Sequence, residues 1–347
     1  MESVNQHNPT ATPATVVVTG ITGFLGSHIA VQLLNQGYIV KGTLRGEKRK
    51  AQIINTLRES CGELVANLSL HQADLMDDQG WDSVMEKTDF VIHAASPFLA
   101  HVPKNENDLI APAVDGTLRV LNAAKSQNVK RVVLTSSIAA VVHNSDSAPY
   151  NESHWTSEHA STITPYYKSK TRAEKAAWQF AEQHDLPLSV INPGVILGPV
   201  LGKDYGTSAE LIVKLLKGDF PGMPRIGFPV CDVRDVAAMH IQAMTSPQAV
   251  GERFITASEF MWTGDIAEVL RNQYPSYRKN LPTRQLPNWL VKMVALFDPA
   301  LKTVVKELGL ELRVDSNKAK TILGYKPTPN HAAIIATADS LLQQKVV

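Results

Sequence analysis

The chain has 347 residues, with 34 lysines and arginines against 33 aspartates and glutamates, for a formal charge of +1. That balance lacks the basic excess a nucleic-acid or anionic-membrane binder needs. Hydrophobic residues at 44% and charged residues at 19% describe a globular chain, large enough to bury a core without staples.

The elements follow in order. Met1 to Pro13 is polar, with no apolar stretch of the kind a secretory signal carries; residues 1–14 are expected to form a disordered tail. Thr15–Thr19 reads as a buried parallel strand, and Phe24–Gln36 as a helix ending at Gly37. Ile39–Leu44 is a predicted strand, Lys48–Glu59 a helix and Leu68–Gln72 a strand. A short helix near Trp81–Glu86 precedes the strand Phe90–Ala94. The helix Asn107–Gln127, the strand Val132–Thr135, the helix Tyr166–His184 and the strand Leu188–Ile191 come next. Strands alternating with helices predict an α/β fold, a doubly wound and mostly parallel sheet covered on both faces. Past Pro193, glycine and proline cluster from Gly194 to Pro229 around one apolar helix, Ala209–Lys217; a helix at Asp232–Met244, a strand at Arg253–Thr256 and a helix at Thr263–Tyr274 follow. Residues 15–195 therefore read as a dinucleotide-binding domain to which 230–257 returns. Residues 196–229 and 258–347 read as a smaller, mostly helical lobe for substrate. Leu186–Gly202, an apolar uncharged run, is broken by three prolines and does not suit a membrane helix of ~20 apolar residues. Cys61 and Cys231 stand far apart with no metal-ligand spacing, so a reducing, cytoplasmic setting without a metal is expected. His154 and His159 lie in a polar stretch with no third ligand in view.

The strongest motif is Thr19-Gly20-Ile21-Thr22-Gly23-Phe24-Leu25-Gly26, between the first strand and the first helix. In that context the first glycine permits the turn, the second lets backbone approach a pyrophosphate, and the third lets helix pack on strand. The helix start presents free N–H groups and partial positive charge to phosphate. At the end of the second strand, where a carboxylate would hold the ribose 2′-OH of NAD, stands Arg45, followed by Lys48 and Arg49. A guanidinium there suits a 2′-phosphate, so NADP(H) is the expected dinucleotide. Asp74 and Leu75 after the third strand are either an adenine contact or an ordinary helix N-cap.

Tyr166 and Lys170 stand four apart at the start of a predicted helix, on one face; Tyr167 has Thr171 in the equivalent place. A phenol of ordinary pKa ~10 is a weak acid–base group at neutral pH, and an adjacent ammonium stabilises its anion. Ser136 and Ser137 follow the strand ending at Thr135, at the sheet edge where open α/β folds bind ligands.

Together these residues resemble the extended short-chain dehydrogenases/reductases, closest to the dihydroflavonol 4-reductase-like and aldehyde/ketone reductase branch. The likeness runs from Thr15 to Leu342. It includes the glycine loop, His93-Ala94-Ala95-Ser96-Pro97, Thr135-Ser136-Ser137, Tyr166 with Lys170, Asn192-Pro193-Gly194 and Leu323-Gly324-Tyr325-Lys326-Pro327. The resemblance implies a Rossmann fold and an NADPH-dependent carbonyl reductase acting on a small aldehyde or ketone. Tyr166 would be the proton donor and Lys170 its partner and a ribose ligand. Ser137 would orient the carbonyl, with Ser136 as the fallback. Pro193 and Val195 would line the nicotinamide pocket, and Ala94 and Ser96 the middle of the cofactor. Phe98, Val142, Trp155, Tyr205 and Phe228 fall in segments that build the substrate pocket, although each could equally fill core. Two departures stand out. Val142 occupies the place of an asparagine that holds a substrate hydroxyl in plant flavonoid reductases. Ile138 and Ala139 occupy the place of the acidic pair of nucleotide-sugar dehydratases. A nucleotide-sugar epimerase, or an idle NADP(H)-binding regulator, are the alternatives on the same scaffold.

Overall fold

The computed structural model describes residues 13–97, 105–144, 148–160, 162–202, 205–297, 302 and 305–347. Its centre is a seven-stranded sheet. In chain order the strands are β1 (Thr15–Thr19), β2 (Ile39–Leu44), β3 (Leu68–Gln72), β4 (Phe90–His93), β5 (Arg131–Thr135), β6 (Leu188–Pro193) and, much later, β9 (Glu252–Thr256). They lie side by side as β3-β2-β1-β4-β5-β6-β9, every pair parallel. The order reverses at β1, and it is there that the carboxyl ends of the strands leave a crevice. This is a Rossmann-type doubly wound fold.

Alternation along the strands explains the layering. Val16 and Val18 of β1 face one core and Val17 the other, all three fully buried. The first core is closed by α1 (Phe24–Asn35), α2 (Lys50–Cys61) and α7 (Val233–Thr245), through Ile29, Leu33, Ile53, Leu57, Val236 and Met239. The second is closed by α3 (Trp81–Met85), α4 (Asn107–Ser126) and α5 (Pro165–His184), through Trp81, Val120, Leu121, Ala177 and Phe180.

A second sheet was not legible in the sequence. Its strands are β7 (Val195–Leu197), β8 (Gly227–Asp232) and β10 (Phe260–Trp262), with β8 in the middle, parallel to β7 and antiparallel to β10. Two of the three have only three residues, and Gly227 and Pro229 interrupt the third, so no period-two signal survives. The lobe beyond Pro193 is thus not simply helical: α6 (Gly206–Lys217), α8 (Thr263–Gln273) and the helix Asn330–Gln343 pack against this small sheet around Leu197, Val213, Leu216, Val230, Ile266 and Ile334. Residues 227–232 belong to it, and of the segment 230–257 it is α7 and β9 that return to the large sheet. Asp232 ends β8 and caps α7, its Oδ1 accepting from the Arg234 amide at 2.8 Å, where the sequence reading began the helix. Gly194 makes the passage from one sheet to the other. A Cβ there would stand 2.3 Å from the Pro229 carbonyl oxygen, so the two backbones could not approach with any side chain present.

Among the described residues no helix is long and apolar enough to cross a membrane, and no group of three or more His, Cys, Asp or Glu residues could hold a metal ion.

Candidate active site

The glycine loop folds as a tight link between β1 and α1. Gly20 has φ +67°, and its position lies against Ala95 beyond β4. Gly23 donates its amide to the Gly20 carbonyl at 3.0 Å. A Cβ on Gly26 would stand 2.3 Å from that same carbonyl oxygen, so the third glycine is required for α1 to start this close to the strand. Gly23 is the N-cap of α1 and offers no side-chain cap, and the first turn, with Phe24 and Leu25, holds no acidic residue. The helix dipole and its first N–H groups are left for an anion. The end of β1 is tied to the end of β4: Thr19 Oγ1 lies 2.8 Å from His93 Nδ1 and accepts from the Ala95 amide at 3.0 Å. His93 is buried; desolvation first, and the Lys170 charge second, hold its pKa down at about 3, so it stays neutral.

Arg45 follows β2 directly and is exposed. Glu47, Lys48 and Arg49 form a 3-10 turn before α2, so that the α-helix itself begins at Lys50, two residues after the start expected from the sequence, and Glu47 pairs with Lys50 at 3.2 Å. Thr22 and Arg49 line one cleft of about 170 Å³ with Ser27, Gln52, Thr56 and Gly202. A free helix start, a hydroxyl and a guanidinium on one cleft, with Arg45 at the strand end, fit a phosphorylated dinucleotide. Asp74 Oδ1 accepts from the Met76 amide at 3.0 Å, closing a turn, while Leu75 packs on Gly116 of α4.

The predicted acid–base residues come from two elements, the start of α5 and the segment just past the end of β5. Tyr166 sits in the first turn of α5, opened by Pro165, and is 39% exposed. Lys170, one turn on, reaches across to β4, where its Nζ donates to Ser96 Oγ at 3.3 Å; Ala94 and Ser96 lie in the same short segment after β4. Ser137 is buried just past β5, its Oγ accepting from the Ala139 amide at 3.1 Å. The serine hydroxyl proton remains available to donate. Ser136 is otherwise engaged, donating to Glu174 Oε2 at 2.5 Å, which removes it as a fallback. Tyr167 turns away from the edge and stacks edge-on against His143 with ring centroids 4.6 Å apart. Burial, and then Glu307, push its hydroxyl well above the ordinary range. Lys170 is thereby joined to the segment after β4, whose Ala95 lies against Gly20, while Ser137 stands just past the end of the neighbouring strand β5.

The model of the NAD-dependent epimerase/dehydratase family matches residues 16–256. This chain belongs to that family. Within its extended short-chain dehydrogenase/reductase branch, the chain is 34% identical over 337 residues to cinnamoyl-CoA reductase CAD2 of Medicago truncatula, covering 95% of this chain and 96% of that one. Tetraketide alpha-pyrone reductase 2 of Arabidopsis thaliana is 35% identical over 271 residues, 75% of this chain and 83% of that one. Among solved structures, the yeast methylglyoxal/isovaleraldehyde reductase Gre2 complexed with NADPH superposes with a TM-score of 0.78. It has 29% identity and covers 96% of this chain and 99% of that one.

For this family member the remaining predicted positions divide. Pro193 ends β6 opposite Thr256, and Val195 begins β7 opposite Val230, so the two flank the Gly194 passage. Phe228 is half-buried on β8 opposite Met261. Tyr205 caps α6, half-buried, its hydroxyl bonded to Glu210. Val142 has no exposed surface; it packs with Ile138, Val141, Ile255 and Leu312 and in this arrangement offers nothing to a substrate. Trp155 lies under Arg253, 3.7 Å from guanidinium to ring centre. Phe98 lies outside the described residues. The sequence reading missed Glu174, Asn192 as a side-chain donor, and Arg253. A glutamate inside a helix reads as a solvated residue, and the signal available was its spacing of four from Lys170 on the Tyr166 face.

Proposed function

We propose that the protein is an NADPH-dependent carbonyl reductase that converts small aldehydes or ketones to alcohols. The NADP(H)-dependent oxidoreductase class is that of the reductases it resembles across nearly its whole length. The bound dinucleotide would supply the hydride. The chain's own residues do the rest. The start of α1, Thr22, Arg49 and Arg45 bind its phosphates. Ser137 Oγ donates to the carbonyl oxygen and fixes its direction. The Tyr166 hydroxyl gives that oxygen its proton as charge develops, and the Lys170 ammonium favours the phenolate left behind. Lys170 also stands where it can hold a ribose hydroxyl, because it already reaches a hydroxyl at the carboxyl edge of the sheet.

The observation that carries this reading is the hydrogen bond from Lys170 Nζ to Ser96 Oγ. It turns the Tyr166 face of α5 toward the crevice at β1 and β4, next to the glycine loop. The test is Tyr166→Phe. NADPH binding, followed by fluorescence, is retained, and carbonyl-dependent NADPH oxidation falls by at least about a hundredfold. Turnover within a few-fold of the parent would overturn the assignment. A panel of aliphatic aldehydes, aryl ketones, diketones and ketoesters identifies the carbonyl class.

A further inference from the structure

Beneath the catalytic edge lies a buried carboxylate that the reaction as described does not use. Glu174 on α5 is 1% exposed. Its Oε2 accepts from Ser136 Oγ at 2.5 Å and from Asn192 Nδ2 at 2.8 Å. Its Oε1 accepts from Arg253 Nε at 2.5 Å and from Trp178 Nε1 at 3.3 Å. The same Asn192 Nδ2 donates to the main-chain carbonyl of Ser137 at 3.1 Å. Four donors, from β5's end, β6, β9 and α5 itself, converge on one carboxylate.

Tyr166, Lys170 and Glu174 follow at intervals of four on α5 and so form one stripe. The top of the stripe carries the proton donor, and its foot is bonded to the two residues that hold Ser137. The distance between a phenol on a helix and a hydroxyl on a strand end depends on how those elements are fastened together. A carboxylate serves for this where an apolar contact would not, because its two oxygens fix direction as well as separation. The Arg253 guanidinium, itself held by the carbonyls of Glu152 and His154 at 3.0 and 2.9 Å, balances the buried charge.

We infer that Glu174 is a positioning residue: through Ser136 and Asn192 it sets Ser137 against Tyr166. The inference rests on the proposed reductase chemistry and deepens it. Two variants test it, each compared with the parent for kcat, KM, NADPH affinity and melting temperature. Ser136→Ala removes one hydrogen bond and leaves Glu174 paired with Arg253, Asn192 and Trp178, so the fold is kept. Its kcat falls about tenfold while KM and NADPH affinity stay within about threefold, because the reacting groups are displaced and the binding groups are not. Glu174→Gln replaces one acceptor oxygen with a donor and lowers kcat about a hundredfold with the same split. If Glu174→Gln does not fold, Ser136→Ala decides alone. A kcat per folded Ser136→Ala enzyme within twofold of the parent, or a loss carried by KM or NADPH affinity, overturns the inference. Tyr166→Phe run alongside separates the two levels. Activity that survives Tyr166→Phe ends the reductase mechanism and this role with it. Activity that needs Tyr166 but is indifferent to Ser136 and Glu174 ends only the positioning role.

Discussion

Arg45 shows what one residue decides. A dinucleotide site of this shape needs a group at the end of β2 to meet the adenosine ribose, and the choice between carboxylate and guanidinium is a choice between a free hydroxyl and a phosphate. Arg45 is exposed there with Arg49 one turn away on the cleft beside Thr22, and the nearest acid, Glu47, is turned to Lys50. Arg45→Asp is therefore expected to lower the NADPH-to-NADH preference in kcat/KM by at least about tenfold, the order of one charge-assisted hydrogen bond. Steady-state rates with both cofactors measure it, and an unchanged ratio would take Arg45 out of the site. The two serines divide the same way. Ser136 and Ser137 are indistinguishable as neighbours in a sequence, but one donates to a buried carboxylate and the other accepts from the Ala139 amide.

Among the elements, β1 and α1 were legible because each physical demand leaves a mark. A strand buried on both faces is a run of valines, and a helix that begins against it requires Gly26. That glycine carries a direct prediction. Gly26→Ala puts a methyl group 2.3 Å from the Gly20 carbonyl oxygen, and backbone on both sides must shift. The expected cost is about 2 kcal/mol or more, read as a lower melting temperature, together with weaker NADPH binding as the helix start moves away. A variant as stable and as tight-binding as the parent would show that α1 is not seated by this contact. The short strands β7 and β10 left no such mark, since three residues are too few for alternation to register. Glu174 left a misleading one, because residue type alone does not distinguish a solvated glutamate from one with three of its four partners 18 to 79 residues away.

At the level of the whole molecule, histidines join distant layers. His93 ties β4 to β1, and His240 on α7 binds Thr135 at the end of β5 through Nε2 at 2.7 Å. Burial lowers their pKa values from 6.5 to about 3 and about 4. Between those values and 6.5 the unfolded chain binds protons that the native fold excludes, so stability is full above pH 6.5 and is lost as the pH falls. From pH 7 to pH 5 the two histidines together are expected to remove about 4 kcal/mol from the unfolding free energy. Urea melts at the two values check this, and equal midpoints would mean the histidines take up protons inside the fold. These ties fasten the carboxyl end of β1 to that of β4 and the end of β5 to α7, and it is along this edge that the proposed function has the dinucleotide meet Tyr166 and Lys170. A crystal structure of the protein with NADP⁺ tests that meeting most directly. The account predicts pyrophosphate on the amides at the start of α1, the 2′-phosphate on Arg45, Lys170 bonded to the nicotinamide ribose and the Tyr166 hydroxyl facing the nicotinamide. A dinucleotide bound along this edge with Tyr166 and Lys170 turned away from it would contradict the account.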